Sequence, residues 1–204
     1  FDKSKELVEL ANKKELKFFV GFNRRFVPMY KKAKDEVSAP KIVKMMKNRT
    51  RGADEIRQMI FDDFIHVVDT LRFIGDGGTE VIDIHSITED NLMQRINILL
   101  RSGESNLYGI MNRNNGITEE KLEITGFKEK RVVNEITEME IYNNGEKKVT
   151  KSGGWNPMLY NRGFEDMISE FLYILRNDFS TKKLARDFLE THRLCEEIVY
   201  KSKK

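Results

Sequence analysis

Met93-Gln-Arg-Ile-Asn-Ile-Leu-Leu-Arg101, the turn at Ser102-Gly103 and Leu107-Tyr-Gly-Ile-Met-Asn112 decide the class of fold. Each run is short, rich in β-prone residues and closed by a turn signal, which reads as strand rather than helix. The same pattern extends on both sides. Glu80 to Ile87 precedes these runs; Glu120 to Gly126, Lys130 to Ile136, Glu138 to Tyr142 and Lys147 to Lys151 follow them. Asn115-Gly116 and Asn144-Gly145 supply hairpin chemistry between them. An antiparallel meander of some seventy residues is expected.

Helical patterns flank it. Leu7, Leu10 and Ala11 among Lys and Glu suggest a helix over 3–14, and Pro28 opens one over 28–36. Leu16 to Phe22 reads as a short buried strand ended by Gly21, and Ile42 to Thr50 as another. With the first helix, Leu16 to Phe22 makes an αβ step of a parallel, doubly wound sheet. A lone αβ unit cannot bury both its faces, so upstream sequence is expected. The chain closes with two amphipathic helices over about 160–177 and 182–203, split at Asn177-Asp178. Phe171, Leu172, Ile174 and Leu175 read as core.

Ile60 to Ile74 is an apolar helical run ending at Gly75, with Gly75-Asp76-Gly77-Gly78 as its turn. At about 100° per residue, Asp62, His66, Asp69 and Phe73 fall in one stripe. Phe61, Phe64, Ile65, Val68 and Leu71 fall on the opposing face, where a core would be. An imidazole between carboxylates has the parts of a proton-transfer device, because His titrates near neutrality and a carboxylate orients its ring. The pattern equally suits a histidine that only pairs inside the fold; the sequence leaves both readings open.

The chain has 204 residues, 39% hydrophobic and 34% charged, enough for a real core. Lys and Arg number 36 and Asp and Glu 33, interleaved, so no basic face suits nucleic acid. No apolar run approaches the length of a membrane span, and no signal peptide opens the chain. A single cysteine, Cys195, excludes an internal disulfide and fits a reducing cytoplasm. The Asn48-Arg49-Thr50 sequon is then accidental. His192 and Cys195 lie three apart on the last helix, but two ligands without a third make no zinc site, so no metal is expected. His85 alternates with isoleucines and reads as a sheet-surface residue.

Several segments together resemble the Gfo/Idh/MocA oxidoreductases. Gly21-Phe-Asn-Arg-Arg-Phe-Val-Pro28 is similar to the segment leaving that family's nucleotide-binding domain. Asp62-x-x-x-His66-x-x-Asp69, with Leu71 and Gly75, resembles its substrate-site helix; Gly154-Trp155 and Arg162-Gly163-Phe164 look most like its MviM-like branch. The resemblance implies an α+β (two-layer α/β) domain: a large open, mainly antiparallel sheet with helices on one face, of dihydrodipicolinate-reductase-like C-terminal type. It implies that residues 1–22 are the last helix and strand of a truncated Rossmann domain, and that 23–204 form the substrate-binding and oligomerisation domain. No Gly-x-Gly-x-x-Gly occurs here. NAD or NADP is thus expected for the full protein and not for this chain alone, and the family's catalytic Lys has no counterpart to assign.

By resemblance His66 is the acid or base, and Asp62 binds a substrate hydroxyl or fixes the imidazole. Asp69 supports from behind or ties the helix to its surroundings. Arg24 and Arg25 stand at the hinge, Arg25 reaching substrate or forming an ion pair. Trp155, Tyr160 and Arg162 approach the pocket from a loop, which Trp155 otherwise anchors by packing. The implied substrate is a sugar or polyol, and a homodimer through the sheet is expected. The competing reading is a non-catalytic dimerisation or ligand-sensing module on the same fold.

Overall fold

The computed structural model describes residues 1–75 and 78–203. Helix α1 (Asp2–Lys13) is followed by an extended segment, a 3-10 turn (Asn23–Phe26) and α2 (Pro28–Glu36). Then come β1 (Ile42–Asn48), the short β2 (Asp54–Glu55) and a continuous helical rod. The rod consists of α3 (Ile56–Met59), a π-helical turn (Ile60–Phe64) and α4 (Ile65–Ile74). Strands β3 (Thr79–Glu89), β4 (Leu92–Ser102), β5 (Ser105–Asn112), β6 (Glu119–Thr125), β7 (Glu129–Asn134), β8 (Glu138–Asn143) and β9 (Glu146–Lys151) complete the sheet. Three helices close the chain: α5 (Met158–Asn161), α6 (Phe164–Arg176) and α7 (Lys182–Lys201).

The sheet is large and mainly antiparallel, as expected, but it is not one meander. β1 inserts between β5 and β6, parallel to the first and antiparallel to the second. The hairpins on each side form from local sequence; the insertion is a long-range pairing that no local signal announces. Two-residue turns match their chemistry. Asp90 and Asn91 join β3 to β4, and Asn144 and Gly145 join β8 to β9, all at positive φ, as hairpins of the primed type require.

Alternation along the strands decides the buried face. Val43 and Met45 of β1, Ile96, Ile98 and Leu100 of β4, Leu107 and Met111 of β5, and Leu122 and Ile124 of β6 all point into one core. α4 lies over β1 and β5, and α2 over β6 and β7. Close approach of α4 depends on Gly109, where a Cβ would come within 2.8 Å of Ile98 and 3.0 Å of Val67. α7 packs against α4 and α1. Among the described residues no helix is long and apolar enough to cross a membrane.

Several expectations need correction. Leu16 to Phe22 forms no strand; among the described residues it has no ladder partner, and Leu16 is exposed. In α1 the buried residues are Val8 and Ala11, while Leu7 and Leu10 face outward. In α6 only Ile174 is buried; Leu172 and Leu175 are exposed, because that helix meets the body along a narrow face. The turn expected at Gly75-Asp76-Gly77-Gly78 includes two residues, Asp76 and Gly77, that lie outside the described ones. Asn48 of the sequon is buried, and its amide bonds Glu119 at 2.8 Å.

The 3-10 turn and the start of α6 interlock at Gly163. This residue has φ 75°, and a Cβ there would lie 2.4 Å from the Asn23 carbonyl oxygen and 2.6 Å from the Phe26 carbonyl carbon. Both obstacles are backbone and cannot step aside. Asn23, itself buried, donates to the Arg162 carbonyl at 2.8 Å across the same contact. Gly163→Ala should cost about 1–3 kcal/mol in urea unfolding, from strain and left-handed backbone together. An unchanged midpoint would mean that the two segments part easily.

Candidate active site

The sheet places two charged residues at the end of its apolar stripe. Lys47 follows Val43 and Met45 on the inward face of β1, and Glu120 stands opposite it on β6. Both are buried, so each needs a partner. Lys47 Nζ pairs with Asp63 of the π turn. Glu120 accepts from Nε and Nη2 of Arg24, at 2.9 and 2.7 Å, and from the Tyr30 hydroxyl at 2.9 Å. Arg113 also donates to Asp63, and Arg49 approaches it at 3.5 Å. One carboxylate therefore serves three cations.

His66 sits one step into α4, half-buried above this cluster. Its Nδ1 is buried and has no hydrogen-bond partner among the described residues. Burial, then the charges of Lys47 and Arg24, push the imidazole from its ordinary 6.5 down to about 4; Asp63 and Glu120 pull weakly the other way. The ring is therefore neutral at pH 7. Burial raises the Asp63 carboxyl, but Lys47, Arg49 and Arg113 outweigh it and hold the group below its usual range. Burial likewise opposes the charged form of Glu120, and Arg24 wins there too. Lys47 is pulled downward by its burial despite Asp63.

The stripe anticipated on the helix is redrawn. A π turn carries more residues than an α turn, so the regular 100° phase does not run through it. Asp62 is exposed and Asp63 takes the inward position. Asp69, which a regular wheel puts in the imidazole's stripe and which was expected to support from behind or tie the helix to its surroundings, is buried on another side. It accepts Arg25 Nε at 2.8 Å and Nη2 at 2.6 Å, and the Thr191 hydroxyl at 2.8 Å. Asp69 thus ties α4 to the 3-10 turn and to α7. Arg25 also pairs with Asp187 and stacks near Phe188, so its guanidinium is fully engaged. Trp155 is 98% exposed and anchors nothing by packing within this chain.

A cavity of about 410 Å³ opens beside the cluster, within the range of small-molecule sites. Its walls include Arg24, Arg49, Glu119, Glu120, Glu135 and Arg162. His66 does not line it; the two regions meet through Arg24 and Glu120, whose charges bear on the ring. Of the loop residues singled out in the sequence, Arg162 reaches this wall and Trp155 and Tyr160 do not. Lys47, Asp63, Glu120 and Tyr30 were missed. The available signal was a lysine at an inward strand position, which demands a buried carboxylate. Among the described residues no cluster of three metal-ligating side chains exists. His192 bonds the Phe188 carbonyl at 2.9 Å, and burial pushes the Cys195 thiol upward, away from reactivity.

The electrostatics carry a stability prediction. The folded His66 resists protonation that the unfolded chain accepts, so its contribution is complete above pH 6.5 and is lost as pH falls through about 4. The loss should reach about 3 kcal/mol. Urea midpoints of the wild type and His66→Gln, compared at about pH 7 and about pH 4.5, should converge or cross as acid removes the histidine term. Parallel pH profiles would show that the ring is solvated.

Residues 28–146 match the family described as YceM-like, C-terminal domain. YceM of Salmonella typhimurium, which carries an oxidoreductase name, is 40% identical over 76 residues, 36% of this chain and 25% of that protein. The dehydrogenase MviM from Clostridium difficile superposes with a TM-score of 0.90 at 27% identity, over 96% of this chain and 66% of that one. A Gfo/Idh/MocA family oxidoreductase from Vibrio cholerae gives 0.87 at 23%, over 100% and 68%. KijD10, a 3-ketoreductase from Actinomadura kijaniata solved with NADP, shares the fold alone, at 0.79 and 12%, over 97% and 64%. The chain thus spans about two thirds of the solved relatives, and its match covers a quarter of the YceM sequence. With the matched family model running through more than half of the chain, the π turn and the His66 helix included, this protein belongs to the YceM-like C-terminal domain family, on the mainly antiparallel α+β fold of the Gfo/Idh/MocA oxidoreductases.

Proposed function

We propose that this chain is the substrate-side part of an NAD(P)-dependent oxidoreductase acting on a sugar- or polyol-type hydroxyl, with His66 exchanging the hydroxyl proton. The observation that supports it most is the neutral imidazole whose buried Nδ1 has no hydrogen-bond partner among the described residues, and which Arg24 and Glu120 connect to a polar cavity. Such a ring has the protonation state of a base at pH 7.

A dinucleotide does not fit the residues here. Among the described residues no glycine-rich turn leads from a strand into a helix to cradle a pyrophosphate. On this reading the cofactor is held outside the described residues, and 1–22 belong with the nucleotide-binding half. A bound nicotinamide supplies hydride chemistry; the residues here orient the hydroxyl and hold its proton. Asp69 and Arg25 keep α4 in place. Asp63 and Lys47 set the field at His66. Asp62 faces solvent in this chain, so any part it takes in binding is made with groups beyond these. The location this fits is the cytoplasm.

The test is an assay of the full-length protein with NAD(H) and NADP(H) against a panel of polyols and their ketones, read by nicotinamide absorbance. Turnover with at least one is expected, and neither cofactor binding nor turnover by the 204-residue chain alone. Full-length protein that binds cofactor but reduces and oxidises nothing on the panel would favour a ligand-sensing module. A homodimer through the outer sheet face, where Ile42 and Tyr108 are exposed, belongs to the same proposal. Light scattering at micromolar concentration should give twice the 24.0 kDa of the chain, and a monomer there removes it.

A further inference from the structure

The cavity's charges are not all spent, and the remainder describes a ligand. Arg24 is saturated by Glu120 and the Asn23 side-chain oxygen. The Arg49 side chain donates to the Asn48 carbonyl at 3.2 Å and, among the described residues, otherwise reaches only an Asp63 already held by Lys47 and Arg113. The Arg162 side chain makes no hydrogen bond or ion pair among the described residues. Among the described residues, two carboxylates on the same walls have no cation paired with them. Glu119 accepts only from the amides of Asn48 and Asn115, at 2.8 and 3.1 Å. Glu135 accepts only the Glu120 backbone N–H, at 2.9 Å.

The wall is also built under strain. Glu135 and Ile136 both have left-handed backbone, φ 48° and 57°. For a β-branched residue this conformation is a true outlier, costing about 1–3 kcal/mol, and persists only where its surroundings over-determine it. Reciprocal bonds with Glu120 do so here: Glu135 N–H to the Glu120 carbonyl at 2.9 Å, and Glu120 N–H to the Glu135 carboxylate. Ile136 meanwhile packs against the core. The outcome is a carboxylate held in the wall of a cavity that the Arg162 guanidinium also lines.

We infer that this cavity takes a polyol bearing one terminal anionic group, a carboxylate or a phosphate monoester. The anion pairs with Arg162 and Arg49, and the hydroxyls donate to Glu135 and Glu119. A guanidinium fork suits either oxyanion, and ionised carboxylates are strong acceptors for hydroxyl donors. The inference rests on the polyol reading above and deepens it. It is tested by binding alone, so its failure is separable from a failure of the redox assay.

The experiment is calorimetric titration of the 204-residue chain with D-gluconate, D-glucose 6-phosphate, D-sorbitol and inorganic phosphate. At least one anionic polyol should bind about tenfold or more tightly than sorbitol, and the preferred one identifies the anion. Inorganic phosphate should bind more weakly than the preferred polyol, because it lacks the hydroxyls. Arg162→Gln should abolish the preference and leave sorbitol unchanged; the exposed, unpartnered side chain makes this variant safe for folding, checked by its melting temperature. Glu135→Gln should weaken all three polyols. Equal binding of sorbitol and both anionic polyols overturns the anion assignment while keeping the polyol. No binding of any probe, or a preference that survives Arg162→Gln, overturns the site.

Discussion

His66→Gln in the full-length, cofactor-bearing protein should lower turnover by about 10²–10⁴-fold, the usual range for a lost acid–base group. Glutamine keeps the volume and a hydrogen-bonding end but cannot take a proton. The pH profile distinguishes this from a packing defect. Burial and the Lys47 and Arg24 charges hold the ring at about 4, and a base works only when unprotonated. The acid limb of kcat/KM should therefore fall near pH 4 to 5 and not near the ordinary 6.5 of histidine. Lys47→Met should shift that limb upward, because the second contribution holding the pKa down is removed. Full activity in His66→Gln would falsify the assignment; an acid limb at the ordinary value would show instead that the ring is solvated in the working enzyme.

Asp63→Asn should destabilise the fold by about 3–5 kcal/mol, the range for breaking a buried ion pair from one side. Lys47 has only 3% of its side chain exposed, and Asp63 is its carboxylate. Arg113 and Arg49 lean on the same group. Removing the negative charge leaves three cations facing one another around a neutral amide. The pH dependence follows from Lys47, whose folded pKa already lies below 10.5 through burial. Without Asp63 it should fall further, so the variant should be least stable at low pH and recover as alkali neutralises the amine. The double variant Asp63→Asn, Lys47→Met should regain much of the loss, since an apolar side chain there continues the stripe of Val43 and Met45. Urea unfolding of the four proteins at about pH 7 and about pH 9 measures both effects. A cost under about 1 kcal/mol would place the cluster in solvent, as surface pairs behave.

Helix α7 shows what such ties do away from the chemistry. Asp69 and Asp187 together hold Arg25, and Arg72 reaches Asp187 and Thr191. The helix carrying His66 is thereby tied, through Asp69 at its middle and Arg72 in its last turn, to elements far apart in the chain. An imidazole on so braced a helix keeps its orientation without a carboxylate of its own.

Local periodicity was enough to find every strand of the sheet except the two-residue β2, most helices and the histidine, because burial on one face writes a repeat of two or 3.6 into adjacent residues; it also suggested a strand over Leu16 to Phe22 that does not form. It also exposed the absence of a glycine-rich phosphate cradle. Tertiary structure alone decided the rest. The slot between β5 and β6 goes to a strand more than fifty residues earlier, and a backbone ladder has no sequence code for its partner. Asp63 rather than Asp62 faces inward because a π turn breaks the phase that a regular wheel assumes. Lys47, Glu120 and Arg24 converge on His66 from three separate elements, and their charges act through space, which a pattern read along the chain does not register.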